Sequence, residues 1–256
     1  AAIIESFPKP ISDAAREPYG ARAVIYALLL DRDEGVRARQ LEDLEKGAEP
    51  QSFAETKRLM PGIDHLPPEA RAPLVEIAIP ALKTISPNQY SAFLKNVDAL
   101  VEADEKMDLF EYCIRTLLVR NLEVHFGHAK PTKVRYHAFT AVFESLVTVI
   151  STLARVGHDT QELVEHAFQV GMAGADRSVS MPPDSESTLR NFDEALDKLS
   201  QASPGLKRRI MQACTACIAA DEIVTVREGE LLRVIAAVLE CPLPPLPTSK
   251  PASSTS

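Results

Sequence analysis

Apolar residues recur at helical spacing along almost the whole chain, and this pattern is what most restricts its fold. The alternation of apolar and polar residues that is typical of half-buried strands is almost absent. Glycine is scarce, with 10 among 256 residues, and proline falls mainly at the ends of the apolar-periodic segments. We therefore predict an all-α protein, a multi-helix array in which prolines mark the short turns.

Capping residues and prolines predict where individual helices begin. Ser86-Pro87-Asn88-Gln89 has the pattern of a capping box with proline in the first turn, and Pro67-Pro68-Glu69 opens the preceding helix. Pro80 inside that helix is expected to kink it. The loosest loop is expected at 178–185, where turn-forming residues cluster. The other predicted helices cover residues 13–30, 34–46, 108–124, 133–156, 160–173, 186–200, 203–220 and 226–239.

The charge balance argues against two classes of partner. The chain carries 28 basic and 36 acidic residues, which gives a formal net charge of -8. Because such a charge repels nucleic acid and anionic lipid, we expect neither as a partner.

Cysteine usage and hydropathy favour a reducing, aqueous compartment. Four cysteines lie in apolar surroundings without the spacing of a disulfide scaffold. Uninterrupted apolar runs stay well below the roughly 20 residues that cross a bilayer, so we expect no membrane span. The chain opens with Ala1-Ala2-Ile3-Ile4 and lacks signal-peptide features, and we interpret it as a fragment of a longer protein.

A short acidic motif occurs twice. Ala103-Asp104-Glu105 begins a nine-residue segment that aligns without a gap with the segment beginning Ala220-Asp221-Glu222, 117 residues later (position 221 against position 104). In each copy one helix ends at Ala-Asp, and a short turn leads to an N-cap residue with glutamate three residues on. The repeat is therefore predicted to be two helices joined by a capping box.

The acidic residues of this repeat allow two interpretations. In the first, the carboxylates cap helix ends and favour the positive N-terminal end of the helix dipole. In the second, they converge into an oxygen-ligand site for a divalent cation. The candidate metal ligands are Asp104, Asp108, Glu111, Asp221 and Glu228.

The repeated turn resembles the tellurite-resistance TerB-type helical domain. That resemblance implies a helical bundle assembled from two related halves, with acidic residues associated with metal binding. Both copies carry glutamate, Glu105 and Glu222, where that family usually has glycine.

A second resemblance covers most of the chain. Its motifs look like the cytoplasmic C-terminal extension of bacterial membrane zinc metallopeptidases of the HtpX and CAAX-protease class. In that class, membrane helices and a His-Glu-x-x-His catalytic helix precede the extension, and this chain contains no such motif. The segments that carry the resemblance are Arg71-Ala72-Pro73-Leu74, Ala78-Ile79-Pro80-Ala81-Leu82, Ser86-Pro87-x-Gln89-Tyr90, Asp108-Leu109-Phe110-Glu111-Tyr112 and Cys241-Pro242-Leu243-Pro244-Pro245-Leu246.

These resemblances imply a non-catalytic regulatory or interaction domain, with zinc in the catalytic domain of the parent and no cofactor of its own. Its partners are then its own peptidase domain, a protein substrate or regulator, or a second copy of itself. Its place is then the cytoplasmic side of the bacterial inner membrane, as part of a membrane-anchored parent. The alternative is a TerB-like module that binds a divalent metal through the repeated acidic turns.

The expected organisation has three parts. An N-terminal helical layer covers 1–62, the TerB-like bundle covers 63–246, and a disordered tail covers 247–256. Other metal motifs are weak: Cys214-x-x-Cys217 has no second cysteine pair, and His125 and His128 lack zinc-site spacing. We expect the cysteine pair to be buried packing.

Overall fold

Helices account for nearly all the regular structure in the computed structural model of the protein, which describes residues 7–103, 108–127, 132–175 and 179–243. Within these ranges there are twelve α-helices, one short 3₁₀ helix and one isolated bridge, so the predicted all-α fold is confirmed. The predicted disordered tail, 247–256, lies outside the described residues. The helices are α1 (Lys9–Ala14), α2 (Pro18–Leu29), α3 (Glu34–Gly47), α4 (Pro50–Asp64), α5 (Pro68–Leu82), α6 (Pro87–Val101), α7 (Leu109–His125), α8 (Phe139–Gly157), α9 (Gln161–Met172), the 3₁₀ helix (Asp184–Glu186), α10 (Leu189–Ser200), α11 (Pro204–Ile218) and α12 (Val226–Leu239).

The chain divides into two compact units, Ala1–Ala129 and Lys130–Ser256. The first unit contains α1–α7 and the second contains α8–α12. This division does not coincide with the predicted boundary after residue 62. A single buried core in the first unit includes both Phe7 and Leu122, so the N-terminal helices share that core with α5–α7 and do not form a separate layer.

In the first unit, α2 is the central helix. Every residue from Gly20 to Leu29 is buried, because α1, α4, α5 and α6 all pack against this helix. Proline at the first position starts α2 without the loss of a helical hydrogen bond. Proline at the first helical position also starts α4, α5 and α6.

A buried glutamine closes the C-terminal ends of two helices in this core. Gln40, which is 2% exposed, donates from Nε2 to the carbonyl oxygens of Leu29 (3.2 Å) and Leu100 (2.9 Å). Its Oε1 accepts a hydrogen bond from the backbone N–H of Asp31 at 2.8 Å. Helix ends leave backbone carbonyls without intrahelical partners, so this one side chain satisfies groups at the ends of α2 and α6.

In the second unit, α8 is the central helix and packs against α9, α10, α11 and α12. By length and composition alone, it is also the one described helix that is long and apolar enough to cross a membrane. The search for uninterrupted apolar runs misses it, because Glu144 and Arg155 lie within the segment. Most of α8 is buried inside the unit, which is the environment of a core helix.

Several helix boundaries differ from the predicted ones for identifiable reasons. The predicted helix 13–30 is two helices, since Pro18 starts α2 after a short turn. Helix α4 was not predicted, and α5 continues through both Pro73 and Pro80. The predicted helix 133–156 begins only at Phe139, because Tyr136 is in a parallel bridge with Ala202.

Candidate functional site

Both acidic turns form complete capping boxes. In the first unit, the Glu111 backbone N–H donates to Asp108 Oδ1 (2.8 Å), and the Asp108 backbone N–H donates to Glu111 Oε2 (2.9 Å). In the second, the Thr225 backbone N–H and hydroxyl each donate to Glu228 Oε2 at 2.8 Å. The capping interpretation therefore describes the observed contacts of Asp108, Glu111 and Glu228. Asp104 lies outside the described residues.

The repeat extends beyond the acidic turn to a whole pair of helices. Helix α6 starts at Pro87 and α11 at Pro204, and both prolines follow a serine. These starts are separated by the same 117 residues as the two turns (position 204 against position 87). The Ser-Pro dipeptides carry this signal in the sequence, upstream of the acidic motif.

The turn in the first unit borders a small acidic cavity of about 240 Å³. The C-terminal end of α2, where the helix dipole is negative, contributes to its wall. Three arginines moderate the charge. Arg32 and Arg71 line the cavity, with Arg71 Cζ 5.3 Å from the ring centroid of Phe110. Arg37 forms a bidentate pair with Asp64 (2.7 and 2.9 Å). The acidic side chains that line the cavity are Asp31, Asp64, Asp108 and Glu111.

The turn in the second unit meets the end of α8 through a histidine. His158 Nε2 lies 3.4 Å from Asp221 Oδ2, and His158 Nδ1 lies 3.0 Å from the carbonyl oxygen of Ala154. Asp221 Oδ1 also accepts from the backbone N–H of Ile223 at 3.0 Å. A lone histidine after a helix carries no motif, so the sequence alone does not single out His158.

Glycine at the end of α8 makes room for the capping glutamate. A Cβ atom on Gly157 would lie 2.0 Å from Glu228 Oε1 and 2.3 Å from Glu228 Cδ, far inside van der Waals contact. Glu228 is fully buried there, and its Oε1 has no hydrogen-bond partner among the described residues. Burial raises the pKa of Glu228, with nearby Asp221 adding to the rise, while the bonds from Thr225 and the proximity of His158 oppose it.

The backbone of Glu222, in the second acidic turn, is left-handed. Glu222 has φ of 63°, a conformation that glycine adopts without a steric cost and that other residues adopt at a cost. Glutamate at this position therefore carries local backbone strain.

The second unit also contains an open cleft of about 930 Å³. The N-terminal half of α9 lines it, and so do residues 180–184, which we call the strap and which lead into the 3₁₀ helix. The strap is held by Arg155, which donates to the Pro182 carbonyl oxygen and the Ser187 hydroxyl and lies 3.2 Å from Asp184 Oδ1. The residues that line the cleft are Arg155, His158, Asp159, Thr160, Gln161, Val164, Glu165, His166, Gln169, Ser180, Met181, Pro182, Pro183 and Asp184.

No protein-family model, curated protein or solved structure matches the chain.

The metal-binding residue types are dispersed in the part of the chain that the structure describes, where no three His, Cys, Asp or Glu side chains are placed to hold a metal ion. Asp108 and Glu111 belong to the first unit, whereas Asp221 and Glu228 belong to the second. Cys214 and Cys217 are buried free thiols, and burial raises the pKa of Cys214 to about 12. Their surroundings fit packing and oppose thiolate chemistry.

Proposed function

We propose that this chain is a non-catalytic regulatory and interaction module, attached to a membrane zinc metalloendopeptidase of the HtpX and CAAX-protease class. The proposal assigns no reaction and no cofactor to the chain itself, and it locates zinc in the catalytic domain of the parent. The observation that carries the interaction role is the open cleft in the second unit. Its volume lies in the range of pockets that take up a ligand or a short peptide segment.

The lining of the cleft favours a polypeptide segment as its occupant. Exposed polar side chains, including Gln161, Glu165 and Gln169, form a continuous edge on α9, and Val164 supplies a buried apolar contact. Polar groups of this kind can pair with the backbone N–H and C=O groups of an extended chain. We infer that the partner is the parent's own peptidase domain, or a protein substrate or regulator, on the cytoplasmic side of the inner membrane.

Blocking the cleft tests the interaction role. Binding of an array of short extended peptides, including segments of the parent peptidase, would be measured by fluorescence anisotropy. Gln169→Trp places a large ring in the cleft and is expected to weaken binding. Glu162→Arg is the matched control, because Glu162 is exposed on the same helix but does not line the cleft. Equal binding by both variants, or no saturable binding by the wild type, overturns the assignment to the cleft.

The upstream coding sequence tests the proposed parent. We expect it to encode membrane helices and a His-Glu-x-x-His motif before Ala1. An upstream region without them refutes membership in a peptidase, while the cleft assignment stands on its own test.

A second candidate function is divalent-cation binding, and the acidic cavity in the first unit favours it. Asp31, Asp64, Asp108 and Glu111 offer oxygen atoms of the kind that Ca²⁺, Mg²⁺ and Mn²⁺ prefer, beside the negative end of α2. No three of them are placed to hold one ion in the described structure, so binding requires these side chains to rearrange. Calorimetric titration with these ions and with Zn²⁺ is expected to give saturable heat that Asp108→Asn with Glu111→Gln abolishes. Asp221→Asn in the other turn is the matched control. The absence of saturable heat in the wild type refutes this candidate.

A further inference from the structure

Among the described residues, the side-chain hydrogen bonds and the ion pair that hold the strap all come from Arg155. Arg155 contacts the Pro182 carbonyl, the Asp184 carboxylate and the Ser187 hydroxyl, and its own side chain is only 17% exposed. Asp184, in contrast, is 91% exposed at its side chain. Among the described residues, no backbone hydrogen bond joins 180–183 to the rest of the unit. The polar attachment of the strap is therefore concentrated in one partly buried cation.

Little apolar surface holds the strap in place. None of the described residues from 179 to 185 is buried, whereas His158 and Val164 beneath and beside the cleft are. A segment with few buried contacts and few backbone hydrogen bonds opens at low free-energy cost.

Empty space lies on both sides of the strap. Pro182 lines the large cleft and also a second cavity of about 330 Å³, which lies between α8 and α10. The hydroxyl-bearing side chains of Ser145, Thr148 and Ser151 follow one face of α8 along that second cavity. The binding surface therefore continues past the strap in both directions and is longer than the segment that crosses it.

We propose that the strap is an internal, displaceable occupant of a peptide-binding groove, and that the groove takes an extended partner segment with proline followed two residues later by a carboxylate. The strap itself, Ser180-Met181-Pro182-Pro183-Asp184, supplies the pattern. Proline favours the extended conformation, so the segment pays little ordering entropy on binding. The inference rests on the proposed function, since it defines the ligand of the same cleft.

Arg155 supplies the hydrogen bonds that recognise the partner segment. Its guanidinium presents several N–H donors in a fixed plane, which suits a carbonyl oxygen and a carboxylate at a set separation. A partner segment that offers a carbonyl oxygen and a carboxylate at the same separation can accept the hydrogen bonds that Arg155 donates to the strap. Because the strap is part of the same chain, it competes with a free partner segment at a high effective concentration. A partner must bind tightly enough to overcome this competition.

The test uses the full chain and a synthetic peptide of residues 179–187 as the probe. Asp184→Ala with Ser187→Ala removes two of the three strap contacts and leaves Arg155 in place. Releasing the internal competitor is expected to tighten peptide binding by about tenfold or more. Arg155→Gln in the released chain is expected to abolish the gain. Arg190→Ala is the matched control, because Arg190 is an exposed arginine on α10 that pairs with Glu194.

Each outcome decides between the two proposals. If the released chain binds the probe no more tightly than the wild type, or binds a scrambled peptide equally well, the strap is not a competitor. If array peptides still bind the wild type and Gln169→Trp weakens them, the interaction role survives that failure. If neither chain binds any peptide, both proposals are wrong. Increased hydrogen exchange of 179–187 on peptide addition to the wild type checks displacement without any variant.

Discussion

Replacing Gly157 with alanine tests the contact between α8 and the second capping turn. The new Cβ would lie 2.0 Å from Glu228 Oε1, so the carboxyl group must leave its buried position. Glu228 then loses the two hydrogen bonds that its Oε2 accepts from Thr225. Loss of a capping interaction costs about 0.5–2 kcal/mol, and a buried polar group left without a partner costs about 1–3 kcal/mol.

The higher helix propensity of alanine partly offsets this loss of unfolding free energy. Gly157 is the last residue of α8, and alanine is favoured over glycine in a helix by about 1 kcal/mol at most. The single Gly157→Ala variant is therefore expected to lose about 1–3 kcal/mol of unfolding free energy. In a Glu228→Ala background the steric conflict is gone, and the same change is expected to stabilise by a few tenths to about 1 kcal/mol.

A double-mutant cycle measures this coupling. Urea unfolding of the four chains would be followed by far-ultraviolet circular dichroism, and the coupling energy is expected to be about 1–4 kcal/mol. Gly205→Ala is the control, because nothing lies within 4 Å of a Cβ at that position. If Gly157→Ala destabilises equally with and without the Glu228 side chain, the proposed steric contact is wrong.

Four further predictions follow from the described contacts. Glu222→Gly is expected to raise the unfolding free energy by up to about 1 kcal/mol by relieving the left-handed backbone, and a fall in the urea midpoint would contradict this. Gln40→Leu removes three hydrogen bonds at helix ends and is expected to cost about 3 kcal/mol, also measured by urea unfolding. The pKa of Glu228 is raised in the folded state, so its stabilising contribution is present below the unfolded pKa near 4.5 and is lost as pH rises through the folded pKa. The melting temperature of Glu228→Gln is therefore expected to rise relative to that of the wild type as pH rises. Parallel curves of melting temperature against pH for the two chains would refute this prediction. Cys214 and Cys217 are expected to react with a thiol reagent only on unfolding, and rapid labelling of the native chain would show that they are accessible.

The local signals in the sequence were sufficient for much of the fold. Capping boxes at Ser86 and Asp108 and prolines in first turns depend on residues a few positions apart, so they predicted the starts of α6 and α7. Helix α4 was missed although Pro50 opens it, because Pro61 and Gly62 near its end weaken the helical pattern. Tertiary packing against α2 overrides that weakness.

The site was less accessible to sequence reasoning, because its contacts join residues that are distant along the chain. The space for Glu228 depends on Gly157, and the pairing of Asp221 depends on His158. Neither pair has a characteristic spacing. The metal interpretation grouped Asp108 with Asp221 because the motif repeats, whereas the two residues belong to separate compact units.

The two copies of the repeated helix pair place the same turn in different surroundings. The acidic turn of the first copy borders a charged cavity, whereas the turn of the second copy places the buried Glu228 side chain against Gly157. In α11, Cys214 and Cys217 occupy the register that Val97 and Leu100 hold in α6. The thiols thus occupy core positions equivalent to those of Val97 and Leu100, and placing valine and leucine there offers a route to an oxidation-resistant protein for laboratory use.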